Sequence, residues 1–129
     1  MTNDLISDML TRIRNAKNQK HRYVDVVRSK MIVAILDLFK KHRFIRHFIL
    51  HDQKPIVRIY LRYAENQISV INDLKRESKP GKRVYVKADQ VPIVRKGLGF
   101  SVISTSRGVV DSYLARRERL GGELICSIF

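Results

Sequence analysis

Gly97-Leu98-Gly99-Phe100-Ser101-Val102-Ile103-Ser104-Thr105-Ser106-Arg107-Gly108 opens with two glycines flanking one apolar residue. A strand-like run follows from Phe100 to Ile103. Three consecutive hydroxyl residues, an arginine and a glycine close it. A strand end of this kind presents small donors and acceptors on ordered backbone, with a guanidinium beside them. Ser, Thr, Arg and main-chain N–H groups are the usual contacts to a phosphate–sugar backbone. The alternative is a turn whose hydroxyls cap nearby backbone groups. The stretch alone leaves both readings open.

The surrounding residues continue the β pattern. Short strands are expected at 68–74, 82–87, 100–104 and 123–128, with a tight turn at Lys79-Pro80-Gly81-Lys82. Asp89 to Lys96 reads as a connecting segment interrupted by Pro92. Val109 to Arg119 reads as one short helix, stopped by Gly121-Gly122.

The first half is patterned differently. Leu5, Ile6, Met9, Leu10, Ile13 and Ala16 recur at helical spacing, so residues 3–18 are expected to be helical. Asn3 or Asp4 can cap the start, and Asp8 suits the positive end of the helix dipole. Tyr23 to Arg28 reads as a strand. Ser29 is a suitable N-cap for a second helix, 30–42, with a broad apolar stripe through Met31, Ile32, Ile35, Leu36, Leu38 and Phe39. Lys30, in its first turn, opposes the dipole and so invites another partner. Phe44–Leu50 and Ile56–Tyr63 read as a hairpin across His51-Asp52-Gln53-Lys54-Pro55. Val57, Ile59, Leu61 and Tyr63 form its expected core face.

The expected fold class is therefore α+β in two small lobes. Residues 1–66 form an α-β-α-β-β lobe, with helices packed on a small sheet. Residues 67–129 form a mainly-β lobe with one short helix. The boundary falls at Ala64-Glu65-Asn66-Gln67.

Charge narrows the partners. The 129 residues carry 26 Lys and Arg against 12 Asp and Glu, a formal net charge of +14. Residues 1–66 contribute 14 basic and 6 acidic side chains, a net +8; residues 67–129 contribute 12 and 6, a net +6. Both halves of a folded body are basic, as suits a large polyanion touching much of the surface. Nucleic acid, an anionic membrane surface and an acidic protein are the classes such charge attracts. No stretch approaches the ~20 apolar residues of a membrane span. The start lacks the basic and apolar stretches of a secretory signal, so a soluble intracellular protein is expected.

Catalytic and metal chemistry lack support. His42, His47 and His51 are spread over a helix end, a strand and a turn, with no zinc-type motif, so no metal and no cofactor are expected. Ser104 and Ser106 lack a nucleophile elbow. The Gly97–Gly99 element does not continue into a P-loop. The single Cys126 excludes an intramolecular disulfide and, within an apolar run, reads as a buried thiol. A nucleic-acid-processing enzyme, the alternative function, would need a carboxylate cluster, and the acids are scattered singly.

Two further residues suit RNA. Tyr85 lies between cations in Lys82-Arg83-Val84-Tyr85-Val86-Lys87, where it can stack on a base or sugar while Arg83 and its neighbours hold phosphates. It reads equally well as a strand tyrosine half buried in a sheet. Glu123 follows two glycines. Its carboxylate can pair with a cation or accept from a base amino group or a 2′-OH.

Three blocks together resemble the bacterial-type small-subunit ribosomal protein family number eight. They are Asp8-Met9-Leu10-Thr11-Arg12-Ile13-Arg14-Asn15-Ala16, then Lys79-Pro80-Gly81-Lys82-Arg83-Val84-Tyr85, and Gly97-Leu98-Gly99 through Ser104-Thr105-Ser106-Arg107-Gly108 closing with Leu120-Gly121-Gly122-Glu123-Leu124-Ile125-Cys126. The resemblance covers essentially the whole chain. It implies a two-lobe α+β protein, not an enzyme, that binds the central domain of small-subunit ribosomal RNA, supports subunit assembly and neighbours other small-subunit proteins. It implies no membrane and no small-molecule substrate. It places the protein on a ribosome of the bacterial cytoplasm or of an organelle. Carried over by motif, specific contacts are expected from Ser104, Thr105, Ser106, Arg107 and Gly108, with Tyr85, Arg83 and Glu123. Backbone contacts from the first lobe are expected at Lys30 and Lys54. Where the family often has lysine, Arg107 keeps the charge but presents a planar fork. Some members also repress translation of their own message.

Overall fold

The computed structural model describes residues 4–129. They form two compact units, Leu5–Asn72 and Asp73–Phe129, the latter also holding Asp4. Residues 67–72 thus belong with the first unit, whereas the composition change in the sequence lies at 66/67.

The first unit runs α1 (Leu5–Asn18), β1 (Tyr23–Val27), α2 (Lys30–Lys41), β2 (Ile45–Leu50) and β3 (Ile56–Leu61). The strands form an antiparallel sheet in the order β1-β3-β2. Val57, Ile59 and Leu61 are buried on one face of β3, following the alternation in its sequence. α1 packs against β1 and α2 against β2, and the helices touch each other. Met9, Leu10, Ile13 and Ala16 from α1 and Ile32, Ile35, Leu36 and Phe39 from α2 fill this core. Ser29 caps α2, its hydroxyl accepting from the Ile32 N–H at 3.1 Å. Asp4, directly before α1, lies within reach of Arg76; Asn3, the other capping candidate, lies outside the described residues. In the hairpin turn, His51 Nδ1 accepts from the N–H groups of Gln53 and Lys54 at 3.1 and 3.0 Å.

The second unit runs β4 (Leu74–Arg76), β5 (Tyr85–Val86), β6 (Phe100–Thr105), β7 (Gly108–Asp111), α3 (Ser112–Arg117) and β8 (Gly122–Ile128). The sheet order is β4-β8-β6-β7, with β5 also paired to β8. The last strand of the chain is therefore internal, with β6 on one side and β4 and β5 on the other. Ile103, Val110, Ala115 and Leu124 pack with Val91 as the core beneath one face.

Several expected boundaries move. Residues 68–72 make one isolated bridge, Tyr63 with Ser69, Asp73 exchanges backbone hydrogen bonds with Phe129, and the strand begins at Leu74. The 82–87 strand shrinks to Tyr85–Val86, because Lys79 and Lys82 close the Pro-Gly turn on each other. The expected helix 109–119 divides in two. Val109 and Val110 pair in the sheet with Ser104 and Ile103, as suits β-branched residues. Asp111 then caps a shorter helix, its carboxylate accepting from the Leu114 N–H at 2.8 Å.

The three α-helices among the described residues end alike, and not on glycine. Lys20, Arg43 and Arg119 take left-handed backbone, with φ of 58°, 62° and 53°. The following N–H groups of His21, Phe44 and Leu120 return to the carbonyls of Ala16, Phe39 and Ala115. This is the closing motif in which glycine is the usual left-handed residue. Gly121 and Gly122 do not stop α3; they allow strands to approach. A Cβ on Gly122 would lie 2.1 Å from the Ser104 carbonyl oxygen, and one on Gly121 2.7 Å from that of Val86.

Candidate nucleic-acid interface

Four strands bring separated residues into one row. Tyr85 pairs with Glu123, Glu123 with Ser104, and Ser104 with Val109. Residues directly opposite in an antiparallel ladder project to the same face. Their neighbours Val86, Leu124, Ile103 and Val110 turn to the apolar core on the other side. Tyr85 is 68% exposed, so it is not a tyrosine half buried in the sheet. The row needs β8 between β5 and β6, and Gly122 is what lets β8 lie close against the end of β6.

Beyond Ser104 the strand turns through Ser106 and Arg107, and Thr105 pairs with Gly108. The Thr105 hydroxyl donates to the Gly108 carbonyl at 2.8 Å and accepts from the Arg107 N–H at 3.1 Å. Gly108 has φ 106°, a conformation that strains any other residue. The turn-and-cap reading applies to one residue of the hydroxyl cluster. Thr105 is the turn's cap. The Ser104 and Ser106 hydroxyls and the Arg107 guanidinium have no side-chain hydrogen bond or ion pair among the described residues, and Ser106 and Arg107 stand exposed at the tip.

Glu123 is held from beneath. One carboxylate oxygen, Oε2, accepts from the Ser78 hydroxyl at 2.5 Å and from Arg83 Nη1 at 3.0 Å. The other, Oε1, has no partner among the described residues. Ser78 is fully buried, and its oxygen also accepts from the Val84 N–H at 3.1 Å. Arg83 therefore orients a carboxylate as well as offering charge. Sequence reasoning missed Ser78, because a serine before Lys-Pro-Gly looks like any turn residue. A second buried anchor is Arg76, which donates to both carboxylate oxygens of Asp4 at 3.2 and 3.3 Å and to the Ile125 carbonyl at 2.7 Å.

Lys30 and Lys54 belong to the first unit and are exposed. Lys30 lines a shallow hollow with Arg28 and Pro55, and Lys54 directly precedes Pro55 in the hairpin turn. Among the described residues no group of three His, Cys, Asp or Glu side chains could hold a metal ion. No helix is long and apolar enough to cross a membrane.

The arrangement suits an irregular polyanion: a ring for stacking, a preset acceptor, free hydroxyls and a guanidinium, on strands and the tight turn that joins two of them. The family model described as Ribosomal protein S8 matches residues 4–129. The chain belongs to the ribosomal protein S8 family. It is 45% identical to the small ribosomal subunit protein uS8 of Chlamydia trachomatis serovar D, over all of this chain and 98% of the relative. It is 47% identical to the uS8 of Chlamydia abortus with the same coverage, and 44% identical to that of Geotalea daltonii over 98% of this chain and 97% of the relative. As a member of the S8 family the chain is a structural component of the small ribosomal subunit and not an enzyme. Its setting is the ribosome, among ribosomal RNA and other ribosomal proteins.

Proposed function

We propose that this chain binds the central domain of small-subunit ribosomal RNA directly and so supports assembly of the subunit. We assign the specific contacts to Tyr85, Glu123, Ser104, Ser106 and Arg107, with Arg83, Thr105 and Gly108 holding the geometry. Lys30 and Lys54 add backbone contacts from the first unit. The observation that carries this reading is the continuous row from Tyr85 through Glu123 and Ser104 to the hairpin tip, with its free polar groups.

RNA duplexes are read through shape, 2′-OH groups and irregular bases, because the major groove is too narrow for side chains. Free hydroxyls on a strand end match 2′-OH and phosphate oxygens. The unpartnered Glu123 oxygen accepts only, so it selects a donor such as a base amino group or a 2′-OH. Placement on strands and a two-residue turn limits the entropy lost on binding. Distributed Lys and Arg raise the encounter rate and supply non-specific affinity.

The test is binding of the purified protein to a central-domain fragment against scrambled RNA, across a salt series. A preference of roughly several hundredfold that survives physiological salt is expected. Ser106→Ala should weaken specific binding by about 2–10-fold, the worth of one hydrogen bond, and leave scrambled RNA unaffected. Arg107→Glu should weaken both and flatten the salt dependence. Equal binding to both RNAs, collapsing with salt, would leave only the net charge and withdraw the assigned contacts.

A further inference from the structure

The first unit carries a second cationic surface, at the other end of its sheet from Lys30 and Lys54. Lys20, Arg22, Arg46 and Arg62 line one hollow; Lys40 and Arg43 line a neighbouring one with the same Arg46 and Arg62. Lys54 precedes β3 and Arg62 follows it; Lys30 begins α2 and Lys40 lies near its end. A 12-residue helix is about 18 Å long, so the two cationic ends are separate sites.

Three observations say this charge is there to meet something. First, none of the six cations has a carboxylate partner among the described residues, and Glu65 is the one acidic side chain lining either hollow. Some cations elsewhere are neutralised within the fold: Arg12 by Asp8, Arg58 by Asp25, Arg76 by Asp4, Arg83 by Glu123. Second, Lys20 and Arg43 hold left-handed backbone at helix ends, where glycine would be less strained. Third, Arg62 Nη1 donates to the Arg43 carbonyl at 3.0 Å, which ties the wall between the hollows in place.

We infer that this surface docks the phosphate backbone of a second segment of the same ribosomal RNA, apart from the one read by Tyr85 to Arg107. The inference rests on the RNA-binding reading above. Four of the six cations are arginines, whose planar donors match phosphate oxygens. A protein partner would have to bring several carboxylates to face six cations, and Asp and Glu, like Lys, are depleted at protein interfaces.

Two independent pairs test it, Lys20→Gly/Arg43→Gly and Lys40→Gln/Arg46→Gln. Each is measured against full-length small-subunit ribosomal RNA, and against a short hairpin fragment that the parent binds and that Ser106→Ala weakens. Each pair should weaken full-length binding at least about fivefold and reduce the slope of log K against log salt by about 1–2, as for two lost phosphate contacts. Fragment binding should stay within about twofold of the parent, since the short hairpin lacks the second RNA segment that these cations would hold. The glycine pair should keep the parent's melting temperature or exceed it, which separates lost charge from lost fold. Full-length binding and salt slope equal to the parent's, in folded protein of either pair, would overturn the inference while leaving the RNA-binding reading intact. That same result with a small-subunit protein no longer captured would assign the surface to a protein. A parent that shows no preference for small-subunit RNA would remove the reading and this inference together.

Discussion

Ser78→Ala removes the group that holds Glu123, and its cost follows from the contacts. The hydroxyl donates to the carboxylate at 2.5 Å and accepts from the Val84 N–H at 3.1 Å. A hydrogen bond to a charged group contributes about 1.5–3 kcal/mol, and an abandoned buried donor costs about 1–3 kcal/mol. The Glu123 side chain retains 19% exposure, so water replaces part of the loss. About 2–4 kcal/mol is the expected net destabilisation. For a chain of this size that lowers the melting temperature by roughly 6–15 °C. Calorimetry on four proteins isolates the charged part: parent, Ser78→Ala, Glu123→Gln and the double variant. With Gln at 123 the acceptor is neutral, so the cost of Ser78→Ala should fall by about 1 kcal/mol, the difference between charged and neutral hydrogen bonds. RNA affinity should fall with Ser78→Ala although residue 78 is buried, because Arg83 alone then orients the carboxylate. Equal costs in both backgrounds, or a melting temperature within about 2 °C of the parent's, would refute the assignment of Ser78 as the anchor of Glu123.

Gly122→Ala places a methyl 2.1 Å from the Ser104 carbonyl oxygen, well inside a normal contact of about 3.5 Å; the strands must part, at about 1–3 kcal/mol or more. Both stability and RNA affinity should drop, and parent-like amide shifts along β6 and β8 would count against this. Asp25 accepts a two-pronged hydrogen bond from Arg58 at 2.9 and 3.1 Å, which holds its carboxyl below the ordinary 3.8. Its contribution is present above 3.8 and is lost as pH falls through the lowered value, because the unfolded chain takes up the proton first. Asp25→Asn should therefore melt earlier than the parent at pH 7, with the gap closing on acidification; a gap independent of pH in denaturation curves would contradict the ion pair. Burial pushes the Cys126 thiol up to about 12. Iodoacetamide at pH 8 should label denatured but not native protein, and rapid native labelling would show that the β8 core opens readily.

The open face of the first sheet adds one structural point. Tyr60 stacks on His47 with centroids 4.5 Å apart and lies 5.8 Å from Tyr23, and the Arg58 guanidinium sits 4.0 Å over the Tyr23 ring. These are cross-strand neighbours in the register of β1, β3 and β2. Aromatic and cation–π pairs knit this face of the sheet, while the opposite face takes its order from apolar burial.

Local physics was readable in the chain. The apolar spacing of α1 and α2, the Ser29 cap and the alternation of β3 depend on residues a few positions apart, so the α+β class and the basic character needed nothing more. The turn chemistry of Thr105 and Gly108 was equally local. The misread segments were those whose state depends on distant partners. Val109 and Val110 are strand rather than helix because Ser104 and Ile103 offer them a ladder. Residues 68–72 have one bridge, Tyr63 with Ser69, and Asp73 meets Phe129 just before the β4 ladder begins. The composition of 104–108, Tyr85 and Glu123 marked them as candidates, yet only the insertion of β8 between β5 and β6 makes them one surface. The same insertion supplies a role for buried Ser78 and for Gly122, neither of which carries a signal in its neighbours. Propensity and charge act over a few residues and are written in order along the chain, whereas a shared face is a property of register between strands far apart in sequence, and register exists only once the sheet has formed.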